Sequence, residues 1–145
     1  MKVILHNGQS LCPVPLKASR RLALNTLKRL GVDKNGFISV SFVDTAVIKK
    51  LNRNFFKKDR LTDVIALAYK RQRSGSCRPL YDGYLGDIFI CPVRVRENAA
   101  RYKQPYPCEL SLCIVHGILH LLGYDDTKPG PKKKMWQKQN WLIKK

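Results

Sequence analysis

His116 and His120 are four residues apart in a chain with only three histidines. On a helix that spacing puts both imidazoles on one face, about 6 Å apart along the axis, a bite that one metal ion can close. They lie within an apolar run that begins at Leu110 and stops at Gly123, and Tyr124, Asp125 and Asp126 follow at once. Gly123 suits the left-handed position just past a helix end, which would turn the chain back and bring Asp126 toward the same ion. Imidazole nitrogen and carboxylate oxygen both bind zinc, and three protein ligands that leave one position open make a catalytic site rather than a structural one. The expected metal ligands are therefore His116, His120 and Asp126, with Asp125 placed to orient a ligand histidine from behind. The plain alternative is a buried helix with two satisfied core histidines.

The elements that would position this helix can be read in order. Val3-Ile4-Leu5 is a short strand, and Pro15 fits the first position of a helix with Leu16, Ala23, Leu27 and Leu30 on one face, ended by Gly31. Residues 37–43 alternate apolar and polar, as a half-buried strand does. Asp44 is a fair cap for a second helix whose inward face carries Val47, Leu51 and Phe55. Strand, helix, strand, helix predicts an α/β or α+β sheet domain, and 145 residues suffice for one domain spanning 1–145. A cationic loop, Lys57-Lys58-Asp59-Arg60, feeds a strand ending near Leu67, and residues 70–84 read as an exposed, mobile loop. A strand at 85–91 follows, then a helix from Pro92 to about Tyr102. Pro105 and Pro107 precede the histidine helix, and Pro129-Gly130-Pro131 breaks the chain before a last helix, with Trp136 and Trp141 as core anchors.

Lys and Arg number 28 against 10 Asp and Glu, a net charge of +18. A field of that sign concentrates polyanions, so nucleic acid is the leading partner. Lys57, Lys58 and Arg60 are candidate RNA contacts. No apolar run reaches bilayer length and no signal peptide is evident, so the protein is expected to be soluble and cytoplasmic, without a membrane partner. Five cysteines with no CxxC pair fit reduced thiols, several of them core filler. Asp63 and Asp87 sit on apolar strands, where they either face the site or cap turns and pair with arginines. His6 reads as a surface imidazole.

Four segments together resemble the YbeY-type family of metal-dependent endoribonucleases of rRNA maturation. Asn52, Phe55 and Asp59 leading into Thr62-Asp63-Val64 look like its N-x-x-[aromatic]-R-x-x-D-x-x-T-D-V signature. Leu85-Gly86-Asp87-Ile88 matches its L-G-D-I strand, residues 116–125 match H-G-x-L-H-L-x-G-Y-D, and Met135 falls where the family has a methionine. The resemblance covers roughly residues 37–140. It implies a mixed sheet of about four strands flanked by helices, with the metal site on a buried helix at one end. It also implies a single-strand-specific endoribonuclease in rRNA maturation and ribosome quality control, using a metal-activated water on RNA phosphodiesters. One divalent ion, zinc, would be the cofactor, with the rRNA precursor and the ribosome or its proteins as partners.

The chain departs from that pattern at three positions. Asp126 stands where the family has its third histidine ligand, Phe56 where it has an arginine linked to nuclease activity, and Ala66 where serine is usual. A carboxylate is a harder ligand than imidazole, which moves preference toward Mn²⁺ or Fe²⁺. Phe56 removes a bidentate phosphate clamp. These changes keep a second reading open, an RNA- or ribosome-binding assembly factor with weakened or lost catalysis. A zinc peptidase is a third reading, since H-x-x-x-H-x-x-G-x-x-D has metzincin-like spacing, but Gly117 occupies the position of those peptidases' general-base glutamate.

Overall fold

The computed structural model describes residues 1–69 and 83–144. Strands β1 (Lys2–Asn7), β2 (Phe37–Phe42), β3 (Val64–Ala68) and β4 (Tyr84–Ile90) form one sheet in the order β1-β2-β4-β3. The first three neighbours run parallel, and β3 closes the edge antiparallel to β4. Helices α1 (Leu16–Arg29), α2 (Thr45–Phe56), α3 (Pro92–Arg101), α4 (Tyr106–Leu121) and α5 (Pro129–Ile143) flank it. The α/β class, with a mixed four-stranded sheet between helices, is as expected. Residues 70–82, read above as most of a mobile loop, lie outside the described residues. Tyr84, also assigned to that loop, opens β4.

Strand alternation sorts side chains to the two faces of the sheet. Ile38, Val40 and Phe42 of β2 join Ile88 and Ile90 of β4 in the larger core, with Ala23 and Leu27 of α1, Val95 of α3, and Leu110, Cys113, Ile114 and Ile118 of α4. Ile65 of β3 points to the opposite face, where Ile48 of α2, Val43 and Cys91 form a smaller cluster. A third cluster lies outside α4, where Met135 and Leu142 of α5 pack on Val115 and Leu119. Helix α4 is thus apolar nearly all round because it is covered on two sides, by sheet and by α5.

Two glycines set the approach of α4 to the sheet. Gly86 sits at a bulge in the β2/β4 register, with φ +145°, and a Cβ there would meet the Leu67 carbonyl oxygen at 2.3 Å and Leu121 Cδ2 at 2.8 Å. Only glycine fits that backbone and that space, which gives the L-G-D-I pattern its physical reason. Gly117 lies against Ile88, and a Cβ there would stand 2.8 Å from Ile88 Cγ2.

Several local expectations are corrected. Asp44 does cap α2, accepting from the Val47 amide at 2.9 Å, but the buried residues of α2 are Ile48 and Asn52. Val47 and Phe55 are exposed, because the helix rolls to seat Ile48 in the smaller core and to let the Asn52 amide donate to the Arg60 carbonyl at 3.0 Å. Pro15 and Pro105 are cap residues, Pro107 lies inside the first turn of α4, and Pro129 and Pro131 belong to the first turn of α5. Proline is tolerated there because those amides have no partner within the helix. Trp136 and Trp141 are 63% and 45% exposed, so they do not anchor α5; Met135 and Leu142 do. Trp141 instead carries the Arg29 guanidinium 3.9 Å from its ring centroid. Cys12, Cys91 and Cys113 are buried free thiols and Cys108 an exposed one, whereas Cys77 lies outside the described residues. No helix among the described residues is long and apolar enough to cross a membrane.

Gly117→Ala should lower the unfolding free energy by about 1–3 kcal/mol, since the methyl has to displace a fully buried isoleucine in a close-packed core. Urea melts of the two proteins measure this, and equal stabilities would mean that α4 does not press on Ile88 as described.

Candidate metal centre

Helix α4 ends in a tight reversal. The Leu122 amide donates to the Ile118 carbonyl at 3.1 Å, Gly123 to His120 at 3.1 Å, and Tyr124 back to Leu119 at 3.0 Å. With Gly123 at φ +94° this is the paired 6→1 and 5→2 bonding of a Schellman cap. The next residues are held by Asp125, whose Oδ1 accepts from the Thr127 amide at 2.9 Å and from its hydroxyl at 2.8 Å. That local turn aims the neighbouring carboxylate, Asp126, back at the helix face.

Three donor atoms then converge. His116 Nε2 and His120 Nε2 are 3.0 Å apart, and Asp126 Oδ2 lies 3.4 Å from the first and 3.6 Å from the second. The rings meet edge to face, 4.6 Å between centroids. Three ligands at about 2.0–2.1 Å from a tetrahedral ion would be about 3.3 Å from one another, so these residues fit such an ion without rearrangement. Two imidazole nitrogens this close cannot both present lone pairs without a proton or a cation between them. All three side chains are partly exposed, so the site opens to solvent on one side.

The sequence reading placed Asp125 behind a ligand histidine. Its carboxylate is instead committed to Thr127, and the atom behind His116 belongs to Gln139 of α5, whose Oε1 lies 2.9 Å from His116 Nδ1. Sequence reasoning missed Gln139 because the signal is weak: an amide one helical turn beyond Met135, in a helix remote along the chain. Asp63 takes the first of its two alternatives. It lines a cavity of about 150 Å³ with Glu109, Cys113, His116 and Gln139. Its Oδ1 accepts from the Val64 amide at 2.9 Å, and its Oδ2 from the Asn98 amide at 3.4 Å and the Cys113 thiol at 3.6 Å. Asp87 faces elsewhere and, after burial itself, helps push the Tyr84 phenol upward. His6 is exposed at the end of β1.

Burial raises Glu109, and the nearby Asp63 charge adds to it; burial also drives the Cys113 thiol well above its ordinary range. His120 is shifted the opposite way, downward, first by burial and then by the neighbouring His116. Burial thus favours the neutral imidazole at His120, the form in which histidine ligates metal.

Lys57, Lys58 and Arg60 are all exposed, on the loop that runs from α2 to Asp63 at the cavity edge. Lys57 ends α2 with φ +53°. Phe55 and Phe56 are exposed beside them, Phe56 by 46%. Gly117, between the two histidines, points into the sheet at Ile88, so no side chain of the peptidase kind has room to reach the metal face from there.

Comparison with known proteins sets this geometry in context. The family profile described as "Endoribonuclease YbeY" matches residues 6–145. Among curated relatives, the Endoribonuclease YbeY of Lysinibacillus sphaericus is 38% identical over 73% of this chain and 69% of its own length. That of Oceanobacillus iheyensis is 37% identical over 86% and 82%, and that of Micrococcus luteus 33% identical over 94% and 87%. The solution structure of TM1509 from Thermotoga maritima superposes with a TM-score of 0.66 at 26% identity, covering 98% of this chain and 87% of that one.

A metal-free pH series tests the electrostatics. With His120 below its ordinary value of 6.5 in the folded protein, the unfolded chain takes up the proton first as pH falls. Stability should therefore be full above about pH 6.5 and decline below it, and His120→Gln should remove part of that decline. Chemical denaturation of chelator-treated protein between about pH 8 and about pH 5 measures the slope, and an identical slope in the variant would contradict the burial of this imidazole.

Proposed function

Because this chain belongs to the YbeY endoribonuclease family, we propose that it is a metal-dependent endoribonuclease whose ion is held by His116, His120 and Asp126. The observation that carries this is the triangle of three donor atoms, with edges of 3.0, 3.4 and 3.6 Å, on the family's own helix motif. One unit of residues 1–145 supplies the whole site in this reading.

A divalent ion bound there supplies polarisation of a phosphoryl oxygen and a water made nucleophilic near neutral pH. The protein's own residues do the rest. The two imidazoles present Nε2, Asp126 contributes negative charge, and the apolar packing of α4 fixes all three against the sheet. Lys57, Lys58 and Arg60 draw the phosphate backbone toward the cavity edge as point charges and a donor fork. We further propose zinc as the ion, single-stranded rRNA precursor as substrate, and maturation and quality control of the ribosome in the cytoplasm as the setting, with the ribosome as partner. The net charge of +18 supports an RNA partner, and the family resemblance supports the rest.

Phe56 favours the second reading by one specific observation. An exposed phenyl ring stands where the family pattern that this chain resembles has an arginine, and it has no donor for a phosphate. The test separates the two. Protein purified without chelator should carry about one ion per chain, lost in His116→Ala and in Asp126→Ala and kept in Asp126→His, which should favour zinc over Mn²⁺. On single-stranded RNA, Phe56→Arg should raise kcat roughly ten- to a hundred-fold by adding a donor for charge that develops in the transition state. An Asp126→His, Phe56→Arg double variant that holds metal and RNA yet cuts nothing would make the chain a binding relative of the enzyme.

Affinity for RNA should fall linearly on a log–log plot against salt. Replacing Lys57, Lys58 and Arg60 together should flatten that slope by up to about three phosphate contacts. Filter binding across a salt series reads the slope directly, and no change would move the RNA path away from this loop.

A further inference from the structure

Helix α5 carries Met135, Gln139 and Leu142 at four- and three-residue spacing, hence on one face. Met135 and Leu142 are buried against Val115 and Leu119 of α4. Gln139 is the polar member of that face, and it meets His116, one residue after Val115. Each end of its amide has a distinct task. Gln139 lines the same cavity as Asp63 and Glu109, and the NH₂ end of an amide, a donor, is the end that complements carboxylates. That leaves Oε1 for the imidazole, and an amide oxygen can only accept. His116 Nδ1 must then hold the ring proton and donate it, which leaves the Nε2 lone pair facing His120 and Asp126.

We propose that Gln139 is a positioning residue for the metal centre: it holds His116 in the Nδ1–H tautomer, so that the docking of α5 on α4 sets the affinity for the ion. This rests on the metal reading of His116, His120 and Asp126 and adds an element that none of those ligands belongs to. Carboxylate or carbonyl groups behind ligand histidines generally change metal affinity by 10–100-fold when removed. In this fold the group comes from a helix that joins the core through only Met135 and Leu142 among its fully buried residues, so whatever loosens α5 also releases the ring.

The experiment compares the full-length protein with Gln139→Ala and Gln139→Glu. Zinc affinity is measured by competition with a chelator, and the His116 tautomer by nitrogen-resolved NMR of the metal-free protein at a pH where the rings are neutral. In the wild-type protein the proton should sit on Nδ1. In Gln139→Ala it should move toward Nε2, and zinc should bind about 10–100-fold more weakly. Gln139→Glu, which keeps an acceptor for Nδ1, should restore the tautomer and bind zinc more tightly than Gln139→Ala, but no better than wild type, since its second oxygen shares the cavity with the Asp63 and Glu109 carboxylates. Thermal melts of the metal-free proteins should stay close together, since the apolar anchors of α5 are intact. Equal zinc affinity in wild type and Gln139→Ala would overturn the proposal, as would a wild-type His116 protonated on Nε2. If the wild-type protein took up no zinc at all, the metal reading would fail and the affinity claim with it. The tautomer spectra would then still decide whether Gln139 orients the ring.

Discussion

The close seating of α4 on the sheet is the constraint on which the rest depends. Gly117 against Ile88, and Gly86 against Leu67 and Leu121, allow a helix to lie nearer the strands than side chains would otherwise permit. Burying Leu110, Ile114 and Ile118 there fixes the rotation of the helix, each such side chain contributing about 1.5–3 kcal/mol. With the rotation fixed, His116 and His120 have one place to point, the solvent-open margin of the core. A site that binds a small ion needs its ligands held to fractions of an ångström, and a buried helix does this better than a loop.

The third ligand is held by different physics. Asp126 belongs to no regular element, and its position comes from a chain of local hydrogen bonds, the Schellman reversal at Gly123 followed by the Asp125–Thr127 turn. Carboxylate in place of a third imidazole adds negative charge to a site otherwise surrounded by a strongly basic protein. Charge and site are thereby separated in role. The lysines and arginines attract the polyanion from a distance, while the site offers two imidazoles and one carboxylate to a cation.

The arrangement also disfavours one kind of chemistry. The position between the histidines faces the sheet, so a general base cannot come from within the helical motif as it does in zinc peptidases. The acidic groups near the site are Asp63 and Glu109, reached from β3 and from the first turn of α4, and they share a cavity with His116. Both are embedded among hydrogen bonds to protein partners, including Gln104 Nε2 to Glu109 Oε2 and Asn98 to Asp63.

Periodicity and punctuation made the element order legible in advance, because strand alternation and capping are local: residues 37–43, Asp44 and Gly123 each announced their structure. The pair His116 and His120 was legible for the same reason, since a shared helix face follows from spacing alone. What spacing could not decide was which neighbours win when two faces of a helix are both apolar. In α2 the exposed Phe55 and the buried Asn52 invert the expectation, because one hydrogen bond to Arg60 and one isoleucine in a small core outweigh a phenyl ring left in water. The same holds for Trp136 and Trp141, displaced by Met135 and Leu142, whose slimmer shapes fit the space over α4. Asp125 looked like the partner of a ligand histidine because it lies close to both in sequence, but its carboxylate is held by Thr127 two residues on. Gln139, 23 residues beyond His116, takes that place. By itself the sequence determined the elements, the paired imidazoles and the charge. The packing of α5 against α4 decided what stands behind the site, because contacts between distant segments exist only after both helices have found the same core.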